Sequence, residues 1–450
     1  MQSSLILPSA ASPFVRRTSA AAVGLCAALL GCSDERLNMG EGVPVPMEPA
    51  ALPLTSRCLE SPSLEGEISV HNQRELDALE GCERIDGDLY VEAFAGAQLH
   101  ALHALTAVSG VFNVGHTPDQ YADTQPEDAA AQQELQESGW LASLEGLEAL
   151  ESAGSLSLLG FASEDVKPLA NLRTLTDGLS IGFATNLKNF DGLQNLTGLQ
   201  SLSINAALKL ESFDGLTLPE YMLSMHLTDV DLRQLKPIGV KYLDGLYVDD
   251  TQLHDLAPFA SLAYAGHISI VANFQLTSLA GLENLQRLKG LDLDYNRALR
   301  DVPDFEQVGG LRSLRITGSP ELARFPAFQT MQFVYPSTTP LSPEDFITTR
   351  PDVLEIVELG LTELSLPAGW SSAAFVRIEF NANLRHIDFT RQSYIDYLSI
   401  RNNAQLESVS IGALGKVNVL DVVDNPRLSM AAFDAVRRLD LTASGNADTP

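Results

Sequence analysis

The residues whose type and spacing suit chemistry are few. His100 and His103 stand three apart, and Asp229/Asp231, Asp249/Asp250 and Asp292/Asp294 form close-set acidic pairs. Paired imidazoles ligate zinc when a third ligand completes the set, and clustered carboxylates hold calcium when a neighbouring segment adds oxygens. Here no HExxH frame or acidic third ligand accompanies the histidines, and no acidic pair sits in an EF-hand loop. Solvated side chains therefore fit these residues better than a metal centre, and no cofactor is expected. GxSxG elbows, Walker loops and dinucleotide glycine patterns are also missing. Scattered residues can still assemble an active site in space.

A second set is more informative. Ser157, Ser180, Ser203, His226, Tyr247, Ser269, Asp292, Arg315, Ser399 and Asp421 each stand between two apolar residues. Two positions further on come Asn205, Thr228, Asp249, Asp294, Thr317 and Arg401. Alternate residues of a strand point to opposite faces, so both sets would share one outward surface. The early part of that surface is small and polar. From His226 to Arg315 it carries Tyr, Asp and Arg, types that make directional contacts. His226, Tyr247, Asp249, Asp292, Asp294 and Arg315 are therefore the expected binding residues of the sheet face. A hydrated strand face without a partner is the alternative.

These residues are positioned by a repeat. Leu202-Ser203-Ile204 is followed by Leu210 at +8 and Phe213 at +11. The same offsets follow Leu179, Ile268, Leu291, Leu314 and Leu398, and successive starts at 156, 179, 202, 225, 246, 268, 291 and 314 lie 21 to 23 residues apart. The triplet is a short strand, and the later apolar residues turn the chain back to the same core. One unit cannot bury its own face, so units stack and their strands form a continuous parallel sheet. About 17 candidate turns run from Ile68 to Leu441, with the weakest matches near Met225, Phe333 and Ile356.

The pattern resembles the leucine-rich repeats over nearly the whole chain after residue 58. That resemblance implies a solenoid with irregular or short helical returns. It also implies a buried row of Asn at +5, whose amides bond the backbones of neighbouring turns. Asn273, Asn296, Asn383, Asn403 and Asn425 are assigned to that row, while Ala184, Ala207, Thr251 and Ser319 replace it in other turns. The segment from Cys82 to Val91 looks like the opening of a receptor L domain, in which a disulfide-closed segment caps the first turn and a glycine admits a tight bend. Residues 58–92 are thus expected to cap the array. Two stretches interrupt it: the polar insertion 116–140 and the Pro-rich segment 326–352.

The N-terminus reads as a leader. Arg16 and Arg17 precede an apolar run from Ala20 to Leu30, about half of what a membrane-spanning helix needs. The run ends Leu29-Leu30-Gly31-Cys32, which resembles the bacterial lipobox. Residues 1–31 would be a lipoprotein signal, Cys32 the lipidated residue, and Pro- and Gly-containing 32–57 a flexible tether. Export would leave Cys58 and Cys82 as an even pair in an oxidising compartment. They would form either a disulfide closing a loop of about 25 residues, worth roughly 3 kcal/mol, or two buried thiols.

The formal net charge is −29, and removing residues 1–31 leaves 27 basic and 58 acidic side chains, −31. This excludes nucleic acid as a partner and docking on anionic lipid by charge. The expected function is a non-enzymatic interaction module, lipid-anchored to a bacterial membrane (the outer one is favoured) and facing periplasm or cell surface. It would bind protein or glycan there. Two rivals stand beside it. One is a polysaccharide-active enzyme on a right-handed β-helix, which would show three strands per turn, little helix, and Asp, Lys and Arg clustered on one strand. The other is a passive envelope element.

Overall fold

A computed structural model describes residues 57–58, 61–92, 94, 96–115, 141–231, 235–305, 307–326, 353–366 and 372–449. The expected signal, Cys32, most of the tether, the 116–140 insertion and most of the 326–352 segment lie outside them, as does Phe333.

The apolar-polar-apolar triplets are strands, as the period of 21 to 23 residues requires. Phe112, Leu156, Leu179, Leu202, Met225, Leu246, Ile268 and Leu291 are register partners in sequence. Leu314, Leu354, Val376, Leu398, Leu420 and Leu441 continue the row. All pairings are parallel, and the main sheet has 19 strands among the described residues. From Phe112 to Leu420 each residue in this row is at most 2% exposed. Each apolar side chain therefore stacks on its counterparts above and below, which is how short units obtain a common core. Met225 fits the row as well as any leucine.

The return segments follow another period. Leu276, Leu279, Leu282, Leu285 and Leu288 recur every third residue and are all buried. A three-residue repeat matches i→i+3 hydrogen bonding. The N–H groups of Leu282 and Leu285 accordingly donate to the carbonyls of Leu279 and Leu282 at 3.3 and 3.1 Å. Returns are thus tight turns and short 3₁₀ segments, and Gln73–Asp77 is the one α-helix among the described residues. The scarcity of helix meets one expectation for a β-helix, but three strands per turn do not occur among the described residues. A second sheet is confined to Glu363–Ser365, His386–Asp388 and Ser408–Ser410.

Two long intervals extend turns instead of adding them. Phe112 pairs directly with Leu156, and Leu314 with Leu354. The fold is accordingly a leucine-rich-repeat-type parallel solenoid of about 15 turns, somewhat fewer than 17.

At the corner after each strand the chain passes through the left-handed region. Phe183, Ala206, Asp229, Asp250, Ala272, Tyr295, Phe380, Asn402 and Asp424 have φ between 48° and 57°. The next residue faces inward and meets backbone groups that the turn leaves unpaired. Asn273 accepts the Thr251 N–H at 2.9 Å and donates to the Val248 and Val271 carbonyls at 2.7 and 2.9 Å. Asn296, Asn381, Asn403, Asn425 and Asn446 repeat this arrangement. The ladder residue of its turn is Asn381, not Asn383. Val376 pairs with Leu354 and starts this turn, so the +5 place falls on Asn381 and Asn383 lies exposed in the following bend. Ala184 and Ala207 occupy the same inward position without an amide.

Cys58 and Cys82 are disulfide-bonded with a Cα–Cα distance of 5.2 Å. The bond ties the chain ahead of the first strand to the turn after the helix, and Leu76, Leu79 and Cys82 are fully buried there. Gly87 is needed for a close approach of turns, since a Cβ there would run into the Gly66 carbonyl.

Asn403→Ala would strand the Asn381 N–H and the Ile378 carbonyl, which its amide satisfies at 3.1 and 3.0 Å. Two buried unpaired backbone groups cost about 2–5 kcal/mol together. Urea titration should show a large fall in midpoint for Asn403→Ala or Asn381→Ala, and almost none for Asn383→Ala.

Candidate recognition face

Because the strands are parallel and in register, the outward side chains also line up in rows, about 4.8 Å apart. The central row is Ser157, Ser180, Ser203, His226, Tyr247, Ser269, Asp292, Arg315, Glu355, Arg377, Ser399 and Asp421. The residues read between apolar pairs thus share one register row, in which Ser399 and Asp421 are buried. It also brings in Glu355 and Arg377, which the displaced frame near Ile356 had hidden.

His226 and Tyr247 come together. Their rings stack with centroids 4.2 Å apart and planes 10° from parallel. The Tyr247 ring lies over Gly245, where any Cβ would collide with it. A third ring, His267, stands 6.0 Å beyond Tyr247, tilted by 38°. Its Nε2 lies 3.4 Å from Asp292 Oδ2. Burial lowers the pKa of His226, so at neutral pH it presents an uncharged ring.

On the other side of His226 the row falls away to serines and an open trough of about 320 Å³ begins. Ser157, Ser180 and Ser203 form its central line, flanked by Ser155, Ser201 and Ser224. Asp177, Gln200 and Leu223 stand at its margins. Leu223 is 40% exposed and nearby Tyr221 39%, two of the few large apolar side chains left in solvent.

The C-terminal half of the face is built differently. Arg315 Nε lies 3.2 Å from both Asp294 and Glu355. Arg377 reaches Glu379 at 2.9 Å and Glu355 at 3.8 Å. Ser399 donates to Glu379 at 2.8 Å, Thr317 donates to Asp294 at 2.6 Å, and Arg401 pairs with Asp421. Charges alternate along the sheet and neutralise one another laterally, which holds the Arg377 and Arg401 guanidinium pKa values above the usual range. Of the expected binding residues, Asp294 and Arg315 are therefore committed to neighbours, Asp292 meets His267 and keeps one carboxylate oxygen without a partner among the described residues, and His226 borders the open trough with Tyr247 stacked behind it.

Asp249 is half-buried, one of its carboxylate oxygens has no hydrogen-bond partner, as at Asp292 and Asp421, and burial raises its pKa despite a bond from the Val271 N–H. Burial and the Asp250 charge raise that of Asp229. Among the described residues no three His, Cys, Asp or Glu side chains are grouped to hold a metal ion. His103 Nδ1 lies 3.0 Å from the His100 carbonyl, inside its own turn.

No protein-family profile matches the chain, and no curated protein matches it. Among solved structures it is similar to the functional domain of InlJ from Listeria monocytogenes, which includes a cysteine ladder. Identity there is 12%, the TM-score 0.32, and 79% of this chain and 67% of that one are covered. A leucine-rich repeat protein from Bacteroides thetaiotaomicron is 10% identical with a TM-score of 0.25, covering 77% of this chain and half of that one. One from Bacteroides ovatus is 11% identical with a TM-score of 0.22, covering 67% and 86%.

A carboxylate whose folded pKa is raised favours folding while protonated, and that contribution is lost as pH rises through the folded pKa. Asp249→Asn should therefore raise the melting temperature at pH 7 and lose this advantage below about pH 4, the ordinary carboxylate range. Thermal melts across pH check it; an unchanged or lowered melting temperature at pH 7 would show that the carboxylate is well solvated.

Proposed function

We propose that the protein is a non-enzymatic interaction module of a bacterial envelope, binding protein or glycan through the exposed sheet face. The observation that carries this reading is the asymmetry of that face. Its C-terminal half pairs its charges with one another, while its N-terminal half leaves an open trough with an aromatic wall and an apolar margin. Solvated surfaces seldom keep aromatic and aliphatic side chains beside an open concavity without use. A repeat array also offers a long surface suited to macromolecules.

The envelope location rests on the leader-like residues 1–31, on Cys32 in its lipobox setting and on the 32–57 tether. The Cys58–Cys82 disulfide supports export, because such bonds persist in oxidising compartments. The membrane is reached only through the lipid, and the acidic balance of −29 argues against nucleic acid. A polysaccharide-active enzyme would cluster Asp, Lys and Arg on one strand of each turn; here Asp, Glu and Arg line the later part of the sheet and are bonded to each other.

Cys32→Ser should move the protein from the membrane fraction to the soluble fraction. That soluble full-length chain should cosediment with envelopes isolated from the producing cells, and His226→Ala with Tyr247→Ala should reduce cosedimentation about tenfold or more. Cosedimentation no better than that of an unrelated acidic protein would overturn the reading.

A further inference from the structure

We infer that the serine trough is a saccharide subsite, in which a neutral hexose ring of a glycan lies over Ser180 and Ser203 with one face against the His226 ring. This rests on the interaction-module reading and names the ligand class of its open site.

Three observations converge. The ring stack stops at His226. One face packs on Tyr247, and the register partner on the other side is Ser203, too small to continue the stack. The next two members of the row, Ser180 and Ser157, are equally small, and the space above them is the trough. A flat ligand entering it takes the next stacking place, and the apolar C–H face of a sugar suits an aromatic π-face.

The second observation is hydroxyl satisfaction. The hydroxyls of Ser155, Ser157, Ser180, Ser201, Ser203 and Ser224 line one concavity, and none has a hydrogen-bond partner among the described residues. Elsewhere, Ser399 bonds Glu379, and Ser408 and Ser410 bond His386. A hydroxyl donates once, accepts twice and rotates freely, so a bed of them matches the mixed donors and acceptors of a polyol.

The third is charge. No Lys or Arg lines the trough, and its one ionised neighbour is Asp177 at the margin. Phosphate, sulfate and uronate groups would find no counter-charge there, on a chain of net charge −29. A cationic peptide would find a single carboxylate. The strands under the trough are paired on both edges, so an extended peptide has no free backbone to join. Leu223 supplies an apolar margin instead.

The test is saturation-transfer NMR on the full-length Cys32→Ser chain with gluco-, galacto- and manno-oligosaccharides, beside oligogalacturonate and oligolysine. At least one neutral series should receive transfer. Its affinity should fall about tenfold or more in His226→Ala, the scale of one lost stacking contact. Ser180→Tyr, which fills the trough from solvent without touching the core, should abolish binding. Arg377→Gln, in the self-paired half, should leave it unchanged. Thermal melts confirm that each variant folds. Transfer from no neutral oligosaccharide, from oligolysine alone, or undiminished in Ser180→Tyr would overturn the inference. If envelope cosedimentation survives periodate treatment of the envelopes and is lost on proteolysis, the partner is protein: the saccharide subsite falls and the interaction module stands.

Discussion

From the Thr251 turn onward the structure depends on one interaction, the side-chain amide of an inward-facing asparagine placed just after a left-handed corner. At that corner the backbone turns out of the sheet, so its N–H and carbonyl groups have no strand partner, and burying them unpaired would be costly. An Asn amide supplies one acceptor and two donors on a short stem. Asn403 uses them to bond the Asn381 N–H and the Ile378 carbonyl, both in the preceding turn. Asn425 then does the same for Asn403. Each bond sets one turn over the last in height and in register. From the Thr251 turn onward the in-register rows of the outer face follow. In the turns that carry Ser180, Ser203 and His226 the same place holds Ala184, Ala207 and Val230, and the stacked apolar core sets the register there. Rings spaced by one strand separation meet face to face only if the turns do not slip.

Where the sequence is periodic, the fold is legible in it. The triplets from Leu156 to Leu314 give strands, register and the outward row, because each apolar residue has a counterpart one turn away. The frame is lost across the long intervals. Beyond Leu314 the row continues at Leu354, and a count two residues late puts Asn383 where Asn381 belongs. Glu355 and Arg377 disappear for the same reason.

The site was only partly legible, for a second physical reason. Strict alternation does not hold along the whole strand. In Tyr264–Val271 the inward residues are Ala265, Ile268 and Ile270. The spacing of three before Ile268 interrupts the period of two, so His267 sits in a lateral row that an alternating reading never reaches. Partners across turns are harder still. That Arg315 bonds Asp294 and Glu355, and is committed rather than free, depends on the register of three turns and not on local sequence.

Rows of in-register side chains impose a constraint on an acidic protein. Like charges at successive places would stand about 4.8 Å apart, and such pairs are destabilising. The row must therefore alternate in sign or avoid charge. From Asp292 onward it largely alternates, with Arg315, Glu355 and Arg377 in sequence. From Ser157 to Ser269 it avoids charge, using hydroxyls and neutral rings. Asp249, in the neighbouring row, stands between the uncharged Thr228 and Val271, and burial raises its pKa. The two halves are thus two answers to one electrostatic problem, and they leave different surfaces for a ligand. A paired row meets a charged partner only by breaking bonds it already has. An uncharged row of hydroxyls has bonds still to make.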